Sequence, residues 1–205
     1  MMIKDFGARV VSVWEGLRPL TKKMLFGALQ ATVSNPSNTP PQKFSYDAHA
    51  DWELSRLLSA LDEQTKDIEI KKDAEKLREI RSLADACALV LQERSESAEV
   101  FVQLAERTLL RHDYKKIDVL ADILAKRFSV GEIAEIIRQT ELPQIRAIAF
   151  ETLALLPAAS LVTLLDDPIY HEIAHLALEQ QAFEFDNEEA QQILEQMDFD
   201  ELNGE

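Results

Sequence analysis

The chain has 205 residues, of which 46% are hydrophobic and 29% charged, and its formal net charge is −15. This balance indicates a soluble globular protein and argues against intrinsic disorder. A negative net charge also argues against nucleic acid as a partner, because phosphate binding needs a basic face. With five glycines in the whole chain, turn-dense β-folds and glycine-rich phosphate loops are disfavoured as well.

The first half of the chain predicts helices on both sides of a linker. Residues 1–33 have the apolar spacing of a helical pair, the second helix starting at Pro19. Residues 34–47 are rich in Ser, Asn and Pro, which indicates a loop or linker. Residues 48–97 predict a further helical segment, with a first helix capped by Asp47 and a long charged helix from about Lys66 to Glu93.

Cys87 lies on the apolar stripe of that long helix and is the single cysteine of the sequence. It is expected to be a buried packing thiol, and a chain that forms no internal disulfide suits a reducing, cytoplasmic compartment. Charged residues interrupt every apolar run near the N-terminus. We therefore expect no signal peptide and no membrane span.

The second half predicts short helices with clear start signals. They are expected near residues 98–111, 114–127, 130–139, 143–156, 158–166, 168–183 and 187–197. Ser129 with Glu132 and Asp186 with Glu189 have the spacing of capping boxes, and Asp167 before Pro168 that of a cap and a first-turn proline. No segment alternates like a strand, so the predicted fold class is all-α, with an acidic tail at residues 198–205.

An internal repeat of 28 residues runs through these helices. The matched positions on the first helix of each unit are Ile117, Leu120 and Ala121, then Ile145, Ile148 and Ala149, then Ile173, Leu176 and Ala177. On the second helix they are Ile133, Ile136 and Ile137, then Leu161, Leu164 and Leu165, then Ile193. Each set lies on one helix face, which predicts stacked helical pairs that share a continuous core, although any helical bundle can show such spacing by chance.

The repeat resembles the HEAT-like family of α-solenoids, over roughly residues 98–197. The residues that carry the resemblance are Pro143, Ile145, Ile148, Ala149, Leu153, Leu161, Leu164 and Leu165. Pro143 has no proline at the equivalent positions 115 and 171, and residues 1–97 show no convincing copy. The resemblance implies a right-handed α-α superhelix of helical pairs and a role as a binding scaffold.

Charge is unevenly distributed along the sequence. Arg146 is the last lysine or arginine, and the 59 residues after it include 14 Asp and Glu. Such a segment repels nucleic acid and anionic membranes and favours a basic protein segment, although an acidic surface also serves solubility without any partner.

The string His171-Glu172-Ile173-Ala174-His175 fits the H-E-x-x-H pattern and resembles the zincin motif. That resemblance implies His171 and His175 as zinc ligands, Glu172 as general base, and Glu179 or Glu184 as a third ligand. Pro168 would place His171 in the first helical turn, and no strand is available to hold a peptide substrate. Partly exposed helix histidines without a metal are the alternative reading, and His49 and His112 have no companions in sequence.

These features favour a non-enzymatic protein–protein interaction scaffold or adaptor with no cofactor, whose acidic C-terminal surface suits a basic partner segment. A zinc-dependent hydrolase that uses His171, Glu172 and His175 is the alternative. A third hypothesis is an accessory domain in which residues 1–61 form a separate docking unit. The sequence assigns no partner-binding residues and no oligomeric state.

Overall fold

A computed structural model describes residues 3–33 and 46–203. In these ranges the chain forms twelve α-helices and a short 3-10 helix at Ile3–Asp5, with no strand, which confirms the all-α prediction. The helices are α1 (Ala8–Gly16), α2 (Pro19–Val33), α3 (Ala48–Gln64), α4 (Ile68–Lys72), α5 (Ala74–Arg94), α6 (Ala98–Leu110), α7 (Tyr114–Arg127), α8 (Val130–Gln139), α9 (Pro143–Ala154), α10 (Ala158–Leu165), α11 (His171–Glu184) and α12 (Glu188–Asn203).

The contacts divide the chain into two compact units, residues 1–95 and residues 96–205. In the first unit α3 packs against α1 and α5, and α2 packs against α5. Its core is formed by leucines and isoleucines of α3 and α5 that are removed from solvent, among them Leu54, Leu57, Leu58, Leu61, Ile80 and Leu83. Cys87 is fully buried among them, as its place on the apolar stripe predicts.

The long helix predicted between Lys66 and Glu93 is interrupted. Asp73 has an extended backbone, and its carboxylate accepts a hydrogen bond from the N–H of Lys76. Asp67 caps the preceding short helix α4 in the same way, through the N–H groups of Glu69 and Ile70. An aspartate that can satisfy free amides at a helix start thus divides a segment whose apolar spacing indicates one helix.

In the second unit the helix contacts fall into two series. Along one series α7 packs against α9, and α9 against α11. Along the other α6 packs against α8, α8 against α10, and α10 against α12. Contacts of α6 with α7, α8 with α9 and α10 with α11 join the two series. Each inner helix therefore buries side chains against both earlier and later helices.

Side-chain caps fix the starts of α7, α8 and α12 in this unit. The Asp113 carboxylate accepts from the N–H of Lys116 at the start of α7, and the Ser129 hydroxyl accepts from the N–H of Glu132 at the start of α8. The second half of the predicted capping box differs, because the Glu132 carboxylate does not bind the backbone N–H of Ser129. Its carboxylate accepts a hydrogen bond of 2.6 Å from the N–H of Ala98, the first residue of α6.

The starts of α11 and α12 also differ from the prediction. Residues Pro168–Tyr170 form a turn, in which the Asp167 carboxylate accepts a hydrogen bond from the N–H of Ile169. The α-helix begins after this turn, at His171. Asp186 does not cap α12, because its backbone is left-handed (φ 51°). Asn187 takes that place, its side-chain oxygen accepting from the N–H groups of Glu189 and Ala190.

Many of the repeat positions are buried at the 28-residue spacing. Ile117, Ile145 and Ala149 on the first helices are buried, as are Ile133, Ile136, Leu161 and Leu164 on the second. The middle position of each set does not stay buried along the series: Leu120 is buried, Ile148 is half-buried, and Leu176 is 46% exposed. Leu176 was predicted as core and this is wrong, because its side of α11 faces away from the buried side defined by Ala174, Ala177 and Leu178.

Two predictions concern residues outside the described ranges. Residues 34–45 of the predicted linker lie outside the described ranges, and so do residues 204–205 of the predicted acidic tail. Helix α12 continues to Asn203, past its predicted end at residue 197. Within the described part of the chain, no single helix is long and apolar enough to cross a membrane. Helices α9 and α10 taken together have the length and apolar composition of a membrane span, but the chain bends by 114° between them.

Candidate functional site

The two histidines of the H-E-x-x-H string lie in the first two turns of α11. The Nδ1–H of His171 donates a hydrogen bond of 2.7 Å to the carbonyl of Leu165, at the end of α10. The ring of His175 stacks near that of His171, with 6.3 Å between the ring centroids. The structure therefore brings the two imidazoles together and orients one of them through its backbone contact.

The carboxylates expected beside them are less well placed. Glu179 Oε1 lies 3.9 Å from His175 Nδ1, whereas Glu184 accepts a hydrogen bond from Gln180 and Glu172 is exposed. Among the described residues, no three His, Cys, Asp or Glu side chains come together as a metal-binding group. Catalytic zinc needs three protein ligands, so this arrangement falls short of that chemistry as it stands.

The turn before α11 is held by an ionic network centred on Glu135 of α8. Arg138 donates two hydrogen bonds to the Glu135 carboxylate, Gln139 donates another, and the Tyr170 hydroxyl donates a fourth, of 2.9 Å. The Arg138 hydrogen bonds, with those of Gln139 and Tyr170, lower the pKa of Glu135 to about 2. Tyr170 also packs on the buried cluster of Ala134, Leu164 and Ala174, so it fixes the start of α11 against α8 and α10.

A second polar network lies in the first unit, around the buried carboxylate of Glu53. It accepts hydrogen bonds from the backbone N–H of Arg18 (2.7 Å), from Arg18 Nε (3.0 Å) and from the Thr21 hydroxyl. The remaining guanidinium nitrogens of Arg18 bind both oxygens of Asp47, the cap of α3. The junction of α1 and α2 is thereby joined to the start of α3.

The electrostatics of this network favour the charged carboxylates. Burial alone raises the pKa of Glu53, but the hydrogen bonds from Thr21 and Arg18 outweigh burial and lower it. The hydrogen bonds from Arg18 and from the N–H of Ala50 hold the pKa of Asp47 well below its usual range. Because Glu53 has all its partners within the protein, we interpret the network as structural. Sequence patterns gave no signal for it.

The remaining histidines have separate surroundings. His49 lies on the surface of α3, with its ring tilted 5.5 Å from that of Trp52 and its Nε2 3.8 Å from Glu53. His112 occupies the left-handed turn between α6 and α7. Both lie apart in sequence from the pair on α11, and neither joins it in a metal-binding group among the described residues.

Large apolar side chains are exposed on two neighbouring helices of the second unit. Leu155 at the end of α9 is 74% exposed, and Phe183 near the end of α11 is 78% exposed. The two residues are 28 positions apart, so they occupy equivalent sites on helices that pack against each other. Leu176 lies seven residues before Phe183, which is about two helical turns, and is therefore on the same side of α11.

Carboxylates accompany these apolar residues. Glu151 on α9 and Glu179 on α11 are likewise 28 residues apart, and each lies four residues before the exposed apolar residue at its helix end. Glu172 precedes Leu176 by one turn and is exposed. The guanidinium of Arg146 is engaged elsewhere, because it donates a hydrogen bond to the carbonyl of Thr140. Acidic groups thus border the exposed apolar side chains.

A scan against protein-family models gives no match to the chain, and neither a search of curated proteins nor a search of solved structures finds a match.

Proposed function

We propose that the protein is a non-enzymatic interaction scaffold or adaptor, in which residues 98–197 form an array of HEAT-like helical pairs. The observation that carries the proposal is the double series of helix contacts in the second unit, α7–α9–α11 beside α6–α8–α10–α12. Buried residues that recur at the 28-residue spacing, such as Ile117 with Ile145 and Ile133 with Leu161, support the same interpretation.

Stacked helical pairs suit binding because they present equivalent surfaces at regular intervals. A partner segment that lies across the stack contacts one helix after another. The charge of this part of the chain selects the kind of segment: the residues after Arg146 include 14 acidic side chains and no lysine or arginine. A basic segment is therefore the partner whose charge complements this surface.

Affinity capture tests this function. The full chain is immobilised and exposed to native lysate at about 0.1 M and about 1 M salt, and bound proteins are identified by mass spectrometry. An unrelated acidic protein of similar net charge is the control bait. We expect a stoichiometric basic partner that the control does not capture and that high salt releases. Absence of any specific stoichiometric partner would contradict the scaffold, and capture that ignores salt would contradict the basic partner.

A zinc-dependent hydrolase is the second candidate, favoured by one observation. The hydrogen bond from His171 Nδ1–H to Leu165 leaves Nε2 for a metal, the orientation that metal-bound histidines commonly have. His175 would be the second ligand and Glu172 the general base. Metal analysis of protein purified without a polyhistidine tag separates this candidate from the scaffold.

A further inference from the structure

We propose that the outer sides of α9 and α11 together form a docking surface for an amphipathic helix whose apolar residues are flanked by lysine or arginine. This surface, the α9–α11 face, consists of Leu155, Leu176 and Phe183 with Glu151, Glu172 and Glu179. The inference rests on the proposed scaffold function and names where the partner binds and what it must look like.

The geometry of α11 places these side chains opposite its core. At 100° per residue, Glu172, Leu176, Glu179 and Phe183 fall within one narrow sector of the helix. The buried residues Ala174, Ala177, Leu178 and Gln181 fall in the opposite sector. Leu176 and Phe183 are therefore apolar for a reason other than the packing of this helix onto its neighbours.

The neighbouring helix repeats the arrangement. On α9, Ile148 is half-buried, Glu151 is exposed and Leu155 is exposed, at the same spacing as Leu176, Glu179 and Phe183. Packed helices lie about 8–10 Å apart, and seven residues advance about 10 Å along a helix. The apolar positions thus form two rows that suit a helix lying in the groove between them, with apolar residues at positions i, i+3 or i+4, and i+7.

Charge decides between the candidate occupants. The glutamates that border the apolar rows complement lysine and arginine beside the apolar residues of a partner helix. A second copy that bound through the same face would bring the glutamates of both copies into one interface, because a twofold interface joins identical surfaces. Arg146 lies five residues before Glu151 and is therefore about 140° away around α9, outside this face. A basic amphipathic helix is therefore the occupant that the face fits.

Fluorescence anisotropy with the full chain tests the face. The probe is a labelled leucine–lysine peptide designed as an amphipathic helix; a scrambled peptide of the same composition and a leucine–glutamate peptide are the comparison probes. The test variant is Leu155→Ser with Phe183→Ser, and its matched control is Leu110→Ser, which changes a 78% exposed leucine at the end of α6.

We expect the chain to bind the leucine–lysine helix in preference to both comparison peptides. The double variant should weaken binding at least about tenfold, whereas Leu110→Ser should bind like the unmodified chain. Glu151→Gln with Glu179→Gln should reduce the salt dependence of binding, and Glu99→Gln, an exposed glutamate on α6, should not. Circular dichroism of each variant verifies that the helices are retained.

Three results would overturn the inference. They are equal binding by the double variant, equal binding of the scrambled peptide, and a dimer of the unmodified chain that the double variant converts to monomer in light scattering. Lysate capture distinguishes failure of this face from failure of the scaffold. If the double variant still captures the same partner, the face is wrong and the scaffold stands; if the unmodified chain captures none, the scaffold itself fails.

Discussion

The Glu132 carboxylate on α8 accepts a hydrogen bond from the N–H of Ala98, 34 residues earlier and at the start of α6. The cap residue of α6, Ser97, makes no capping hydrogen bond with its side chain. A glutamate from a neighbouring helix therefore serves one of the free amides that begin α6. The same hydrogen bond joins two helices of one series, so the capping of α6 depends on tertiary packing.

Replacing this glutamate should destabilise the second unit. We expect Glu132→Ala to lower the free energy of unfolding by about 1 kcal/mol, because a helix-start amide loses its charged acceptor. Urea unfolding followed by circular dichroism measures the change. Glu151→Ala, at an exposed position within α9, is the control and should be nearly neutral. Equal effects of the two substitutions would contradict the role given to Glu132.

Burial along the series of first helices predicts graded effects of truncation. Ile145→Ala should cost about 2–5 kcal/mol, because Ile145 is fully buried in α9 and its loss leaves a cavity. Leu176→Ala should cost less than about 1 kcal/mol, since almost half of that side chain is already in water. Gln144→Ala is the exposed control. A larger loss at Leu176 than at Ile145 in thermal melts would contradict this description of the core.

The Glu135 network predicts a pH dependence of stability. The pKa of Glu135 is about 2 in the folded chain, below the value of about 4.3 for an unfolded glutamate. The unfolded state therefore binds the proton more tightly, and the stabilisation is present above pH 4.3 and is lost as the pH falls toward 2. Glu135→Gln should flatten this part of the urea stability profile, while Glu141→Gln, exposed between α8 and α9, should leave it unchanged. An unaltered slope in the Glu135 variant would refute the assignment.

Zinc content separates the two candidate functions. Two histidines without a third ligand bind metal weakly, so we expect tag-free protein to contain far less than one zinc per chain. Atomic absorption before and after exchange into zinc-containing buffer measures this content, with a His171→Ala and His175→Ala double variant as control. Stoichiometric zinc that the double variant loses would favour the hydrolase.

Sequence patterns predict most helix starts of the second unit, whether or not a side-chain cap is present. α6, α9 and α10 begin at the predicted residues without one, whereas the predicted caps Asp167 and Asp186 do not begin α11 and α12. α7 and α8 begin as predicted, at the residues after Asp113 and Ser129. Sequence patterns predict side-chain contacts less well where tertiary packing determines them. The spacing pairs Glu132 with Ser129 of its own helix, and the burial of Leu176 depends on whether another helix covers it. The α9–α11 face was missed because apolar residues at repeat positions indicate a core. The 28-residue separation of Leu155 and Phe183 was nonetheless visible in the sequence.

Arg18 lies between α1 and α2, outside any helix, yet its backbone N–H points into the protein and binds the buried carboxylate of Glu53. Amides in short interhelical turns usually exchange their protons with solvent quickly, since brief local openings expose them. Opening this turn would separate Arg18 from Glu53 and Asp47 together. Its amide should therefore exchange with deuterium about as slowly as those of the adjoining helices, because this turn can open only when its contacts with α3 are broken as well.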